Sequence, residues 1–277
     1  MEKLEKIDVG KYRLGKESFY FALTFLTALM VWVWIIAALF DPSLKLQSDG
    51  VDIYSVVYGY VLEPSFILTI FLFTFISHFI AMAYIRLNGV KLGPDQLPEI
   101  WAAIEKQSQI LGMEKPPSAF VIFGHGVMNA FATRLIFRRM IVLYSDLVDS
   151  LIEEKDQKQL EAVIAHELGH HALGHTGLKE WFFLPSDIFP FFLLALSRAR
   201  EYSADRVARV IIGEDEAAIR AFIKLAAGRH LGKRVDIDAY LKQRWSEGGF
   251  FGWISEKLAT HPHLVNRIAA IKGFSQS

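Results

Sequence analysis

Two uninterrupted apolar runs dominate the first third of the chain. Phe19 to Phe40 (FYFALTFLTALMVWVWIIAALF) carries no charge, and Phe66 to Ile85 (FILTIFLFTFISHFIAMAYI) carries one ionisable residue, His78. As a helix, each is long enough to cross a hydrocarbon layer of roughly 30 Å. The first run exceeds a signal-peptide h-region and no A-x-A site follows it, so the pattern predicts a true span rather than a cleaved leader. Basic residues crowd the near side of both runs: Lys3, Lys6, Lys11, Arg13 and Lys16 before the first, Arg86 and Lys91 after the second. The connection from Asp41 to Pro64 carries only Lys45. The positive-inside rule then predicts a hairpin whose N-terminus and everything beyond residue 86 lie in the cytoplasm. Within the second run, His78 is expected to pack between helices or to sit at the bilayer boundary rather than line a polar path.

Beyond the turn-rich stretch Arg86 to Pro98 (RLNGVKLGPDQLP) the period changes. Ile100, Ile104, Ile110 and Leu111 recur at helical spacing up to Gly112 and Pro116-Pro117. Three short runs, Ala119 to Phe123, Asn129 to Thr133 and Met140 to Tyr144, read as strands of a small antiparallel sheet. Helical period then returns at Gln157 to Gly174, Phe189 to Ile212, Glu216 to Ala227, Ile237 to Trp245 and Pro262 to Ile271. The expected division is a basic head at 1–18, a membrane hairpin at 19–86 and a helix-rich α+β domain at 95–277.

Composition narrows the chemistry. Thirty basic residues balance thirty acidic ones, which removes any argument for a nucleic-acid partner. At 52% hydrophobic residues the chain has more apolar surface than a soluble core needs, so a lipid bilayer is the expected partner. Cysteine is absent, so disulfides and thiolate ligands are excluded and a metal can be held only by His, Asp or Glu.

The stretch AVIAHELGHHALGH, residues 162 to 175, supplies the candidates. Residues four apart on a helix share a face, which pairs His166 with His170 and, separately, His171 with His175. At about 100° per residue, His166 and His175 point to opposite sides and cannot share an ion. Glu167 distinguishes the pairs: beside the first ligand it can reach a water at the metal without binding the metal itself. The second pair encloses only Ala172, Leu173 and Gly174, and His171 and His175 are expected to be solvated or to make lid contacts.

A third ligand ten residues after the first histidine is ruled out, because Thr176 stands there. Of the downstream acids, Glu180 is too near the end of its helix to fold back and Glu214 to Glu216 sit in a turn after Gly213. Glu201 lies inside the helical run LSRAREYSADRVARV with Asp205 one turn on. The first can bind the metal and the second can accept the free ring N–H of a ligand histidine. The competing reading of Glu201 and Asp205 is a solvated ion-pair face shared with Arg198 and Arg209.

HELGH at 166–170, REYSAD at 200–205, NAFAT at 129–133 and THP at 260–262, in that order behind apolar spans, resemble the HtpX-like zinc metallopeptidases, the family that also contains the CAAX prenyl endopeptidases. The resemblance implies a zincin-like fold, one Zn2+ per chain held by His166, His170 and Glu201, Glu167 as catalytic base and Asp205 behind a ligand. It further implies that Asn129, Ala130, Phe131 and Ala132 form the strand against which extended substrate pairs, and that His261 stabilises the oxyanion, unless His261, His263 and Arg267 simply orient the last helix. HtpX-type members usually carry two more spans between the histidine motif and the glutamate. Here Trp181 to Leu196 (WFFLPSDIFPFFLLAL) is too short and too proline-broken for two crossings, and is expected to form a membrane-resting hairpin or a wall of the cleft. The function this predicts is a membrane-anchored zinc endopeptidase of the cytoplasmic membrane, acting on proteins or peptides in membrane-protein quality control. A membrane adaptor with a structural zinc and a prenyl-protein processing protease are the alternatives.

Overall fold

The computed structural model describes residues 5–40, 64–135, 137–152 and 157–274. The connection 41–63 with Lys45, and Lys3 of the head, lie outside the described residues. The two apolar runs form α1 (Gly15–Phe40) and α2 (Pro64–Asn88), each with a stretch long and apolar enough to cross a membrane. Their outer faces are apolar and uncovered, with Met30 and Phe73 each 72% exposed. Such faces suit hydrocarbon and not water.

The domain follows as β1 (Val90–Lys91), α3 (Pro98–Ile110), β2 (Ser118–Ile122), β3 (Ala130–Leu135) and β4 (Arg138–Tyr144). Next come α4 (Ser145–Ile152), α5 (Gln157–Ala172), α6 (Leu178–Phe183) and a 3-10 turn at Leu184–Ile188. The rest is helical: α7 (Phe191–Ile212), α8 (Asp215–Gly232, broken at Gly228), α9 (Ile237–Ser246), α10 (Gly249–Leu258) and α11 (Leu264–Phe274). This is the expected helix-rich α+β domain behind two apolar helices. The short α4 and the aromatic α10 were not apparent from periodicity.

The sheet is mixed, not antiparallel as the sequence suggested. Its order is β1-β2-β4-β3, with β2 parallel to β4 and β3 antiparallel to β4 at the edge. The link between β2 and β3 carries the chain past the position that β4 then fills. Alternation of side chains cannot reveal that choice, but burial explains it. Met140, Ile141, Val142 and Leu143 are all nearly inaccessible, as suits a strand covered on both faces. Met140 and Val142 pack with Met82 and Ile85 of α2, while Ile141 and Leu143 face the main core beneath α3 and α5.

Residues before α1 belong to this core as well. Ile7, Val9 and Tyr12 pack against it and the Ile7 amide donates to the Ile110 carbonyl at 3.0 Å. The segment Trp181 to Leu196 packs onto the apolar helices. Trp32 Nε1 donates to the Phe182 carbonyl at 2.9 Å, Phe25 stacks on Phe182 at 5.1 Å, and Trp181 meets Phe75 at 4.9 Å. None of these residues lines the cleft described below, so the wall reading does not hold. His78 packs edge-on against Trp181 at 5.1 Å, with its Nε2 3.4 Å from the Arg134 carbonyl, a packing histidine as expected.

Helix α5 runs through the centre, against α7 on one side and the sheet and α3 on the other. Gly169 makes the close approach to α7 possible: a Cβ there would lie 3.3 Å from Val207 Cβ and 3.4 Å from the Ala204 carbonyl. Gly169→Val should therefore push α7 off α5 and lower metal affinity, by about tenfold or more, since the candidate ligands sit on opposite sides of that contact. A chelator-competition titration would measure it, and unchanged affinity would mean that the contact does not set the site.

Candidate metal centre

Residues 166 and 170 are one turn apart on α5, and α7 brings Glu201 over them. His166 Nε2 lies 3.4 Å from Glu201 Oε2, His170 Nε2 lies 3.3 Å from Glu201 Oε1, and the two Nε2 atoms are 3.2 Å apart. A tetrahedral ion with bonds of about 2.0–2.1 Å separates its ligand atoms by about 3.3–3.4 Å. The two imidazole nitrogens are therefore already near the spacing that zinc requires, each lies at a similar distance from one oxygen of Glu201, and two imidazoles with a carboxylate are a set that zinc accepts. Among the described residues these three form a metal-capable triangle.

A layer of charge stands behind it. Asp205, one turn after Glu201, accepts from His166 Nδ1 at 2.9 Å, leaving Nε2 to face the centre. Arg267 of α11 holds Asp205 with two bonds, Nε to Oδ2 at 2.9 Å and Nη2 to Oδ1 at 2.6 Å, and reaches Glu201 Oε2 at 3.1 Å. The ion-pair reading is thus corrected in one respect: Glu201 and Asp205 are buried inward, and Arg209 pairs with Asp215 instead. Burial disfavours charge on His166, but hydrogen bonds to Asp205 and Glu201 outweigh it and hold its pKa up at about 10. Burial likewise pushes the Glu201 carboxyl up, yet hydrogen bonds from His166 and His170 hold it well below the ordinary carboxylate range. Because a metal needs the unprotonated ring nitrogen of His166, metal binding at this cluster competes with its protonation.

His171 and His175 are not solvated; both are buried. His171 Nε2 donates to the Met140 carbonyl at 2.9 Å and its Nδ1 faces Thr176 Oγ1 at 3.0 Å, which ties α5 to β4. Burial pulls its pKa down to about 4. His175 departs from the helical-wheel argument because α5 ends at Ala172 and Gly174 turns the chain at φ +70°. The His175 ring comes to rest against His170, with the two Nδ1 atoms 3.0 Å apart. Burial draws its pKa down to about 4 despite the Glu17 carboxylate beside it.

The cluster opens into a cavity of about 330 Å³ whose lining includes Glu167, Phe222 and all four of Asn129, Ala130, Phe131 and Ala132. Ala130 begins β3, and the outer edge of β3 is unpaired among the described residues. Glu167 is buried in the cavity wall and stands outside the ligand triangle. His261 lies at the mouth, two-thirds exposed at 66%, with Nε2 3.5 Å from Glu201 Oε1. His263 is directed elsewhere, to Ser255. Glu180, excluded as a ligand, pairs with Arg200 at 2.8 Å. Spacing did not reveal Arg267, Glu17 or His175 as members of this region. A single acid at the head of an apolar span was the only signal for Glu17, and Arg267 was singled out only as a residue that could orient the last helix.

A model of peptidase family M48 matches residues 94–182 and 177–275. Among curated proteins, the chain is 28% identical over 180 residues to a protease HtpX homolog of Halobacterium salinarum, covering 53% of this chain and 60% of that protein. It is 25% identical over 213 residues to the plastoglobule-localized metallopeptidase 48 of Arabidopsis thaliana, covering 69% and 60%. It is 29% identical over 189 residues to protease HtpX of Pseudoalteromonas atlantica, covering 65% and 60%. The chain thus spans 60% of the length of these relatives. Among solved structures, Ste24p of S. mikatae aligns with a TM-score of 0.45 at 21% identity, over 74% of this chain and 58% of that one.

Proposed function

The chain belongs to peptidase family M48, and we propose that it is a membrane-anchored, zinc-dependent endopeptidase. The observation that carries this reading is the ligand triangle beside a cavity with a buried carboxylate, Glu167, left over for proton transfer. His166, His170 and Glu201 would hold the ion, and Asp205 would fix the His166 tautomer. When bound, zinc supplies Lewis acidity, polarising a carbonyl and bringing the pKa of water toward neutrality.

The remaining steps belong to the protein. An extended peptide pairs with the open edge of β3 at Asn129 to Ala132, which lays its backbone along the cavity. Glu167 takes a proton from the attacking water and delivers it to the leaving amine. His261 donates to the carbonyl oxygen as charge develops there. A structural-zinc adaptor would have no use for Glu167 in the cavity wall, so the hydrolytic reading is preferred to it.

The two apolar helices support an anchor, and the relatives are named as HtpX proteases or a metallopeptidase. The first turn of α1, through Glu17, and the last turns of α2, through Met82 and Ile85, both reach the body of the domain, beyond the contacts that Phe182 and Trp181 make farther along them, as fits a hairpin. With the basic residues on that side, the domain is assigned to the cytoplasmic face of the inner membrane. A cleft tethered there meets membrane proteins at high effective concentration, which favours them as substrates and quality control as the role.

The full chain, purified in detergent, should cleave a casein-like substrate, lose this activity to a chelator and regain it with stoichiometric zinc. Glu201→Ala removes one of three ligands and should lower zinc affinity by at least the roughly 10- to 100-fold that losing a partner behind a ligand costs. Chelator-insensitive cleavage would defeat the metal mechanism, and undiminished zinc affinity in the variant would remove Glu201 from the ligand set.

A further inference from the structure

The two histidines of the triangle are supported in different ways. His166 meets a carboxylate directly, through Asp205. Among the described residues no carboxylate meets the far nitrogen of His170; its Nδ1 faces His175 Nδ1 at 3.0 Å, and His175 Nε2 lies 3.1 Å from Glu17 Oε1. Glu17 and His175 are both buried, at 2% and 5% exposure. Glu17 is also fixed in place: it pairs with Arg13 and accepts from Ser203 Oγ, and Arg13 in turn donates through Nη2 to the Leu173 carbonyl at 2.7 Å. The Leu14 amide donates to the same Ser203 hydroxyl at 2.9 Å. The first turn of α1 is thereby fastened both to α7, between Glu201 and Asp205, and to the turn that carries His175.

Hydrogen positions follow from the chemistry of the atoms. A carboxylate only accepts, so His175 Nε2 donates to Glu17. Two ring nitrogens at hydrogen-bond distance share one hydrogen. For His170 to turn a lone pair at Nε2 toward a cation, that hydrogen must sit on its own Nδ1, and His175 Nδ1 must accept it. We propose that Glu17 and His175 are positioning residues of the metal centre: the carboxylate at the head of the membrane helix orients His175, which locks His170 in the Nδ1–H tautomer and aims its Nε2 at the ion. The inference rests on the ligand assignment proposed above. It makes the anchor helix a structural part of the metal site as well as a tether.

The test uses the full chain in detergent, with zinc affinity read by chelator competition and the ring nitrogens read by NMR of 15N-histidine-labelled, zinc-loaded protein. His175→Phe fills the space without an acceptor and should weaken zinc binding 10- to 100-fold, the usual cost of losing such a partner. His175→Asn places an amide oxygen near the former Nδ1 and should recover most of that loss. Glu17→Gln keeps an acceptor but not the charge and should cost less than His175→Phe, about tenfold, the lower end of the usual range. In the parent protein, His170 should show a protonated Nδ1 with a scalar coupling to His175 Nδ1 across the hydrogen bond.

Parent-like affinity in a folded His175→Phe protein would overturn the proposal, as would a His170 ring protonated at Nε2. Should that variant fail to fold, the spectrum of the parent decides. His170→Ala separates the two levels. If it leaves zinc affinity unchanged, the ligand assignment itself is wrong; if it abolishes binding while His175→Phe does nothing, only the positioning role falls.

Discussion

Glu167→Gln is expected to bind zinc within about threefold of the parent and to cleave casein about a thousandfold more slowly, within the range of roughly 10²–10⁴ that a positioned general base contributes. The substitution is isosteric, so the wall of the cavity and the register of α5 are unaffected. What it removes is the capacity to take a proton and return it. Zinc affinity should hardly move, because Glu167 stands outside the triangle formed by His166, His170 and Glu201. Its carboxylate does act on Arg267, helping to keep that guanidinium charged, but Asp205 and Glu201 hold the same group more closely. Turnover assays paired with a zinc titration separate the two effects. Retained cleavage would strip Glu167 of its proposed role, whereas parallel loss of zinc would mean that it serves the metal instead.

Arg267→Met should produce the largest change in stability. Arg267 is the cation that compensates Asp205 and Glu201 in the interior, with three contacts between 2.6 and 3.1 Å, and its charged form is favoured by those carboxylates against the penalty of burial. Methionine fits the apolar neighbourhood of Phe222, on whose ring the guanidinium now rests at 4.3 Å. It leaves two buried carboxylates with imidazoles as their neighbours, His166 for both and His170 and His261 for Glu201, and removes the guanidinium that bridged them. Breaking a buried pair from one side costs about 3–5 kcal/mol, and the metal-free protein should melt correspondingly lower. With zinc the loss should be smaller, because the ion restores positive charge beside Glu201 and gains affinity for the altered site. Thermal unfolding of the purified chain with and without zinc measures both. An unchanged melting temperature in the metal-free variant would show that Arg267 is not needed to neutralise the pair.

Much of the centre was legible before any coordinates because its decisive relation is local. Four residues along a helix is a distance that chain geometry sets, so His166 and His170 had to share a face, and Glu167 had to lie beside them. The same arithmetic failed at His175, and for a physical reason: it assumes that the helix continues, and Gly174 ends that continuity. Helical-wheel reasoning extended three residues too far turned a buried partner of His170 into an expected surface residue. The sheet failed similarly. Strand lengths and alternation were nearly right, but the parallel pairing of β2 with β4 depends on where β4 inserts, and no local pattern encodes that.

What the sequence determined by itself is whatever rests on composition and short-range period: two helices too apolar for water, a helix-rich domain with a few strands, no thiolate chemistry, and a pair of imidazoles one turn apart. The tertiary structure alone decided which distant charges complete the site. Arg267 arrives from the last helix, Glu17 from the head of the first, and both are buried beside residues more than ninety positions away in sequence. Burying a charge is favourable only where an opposite charge or a hydrogen-bond partner already waits. Such partners are selected by the packing of whole helices, and spacing along one helix carries no record of them.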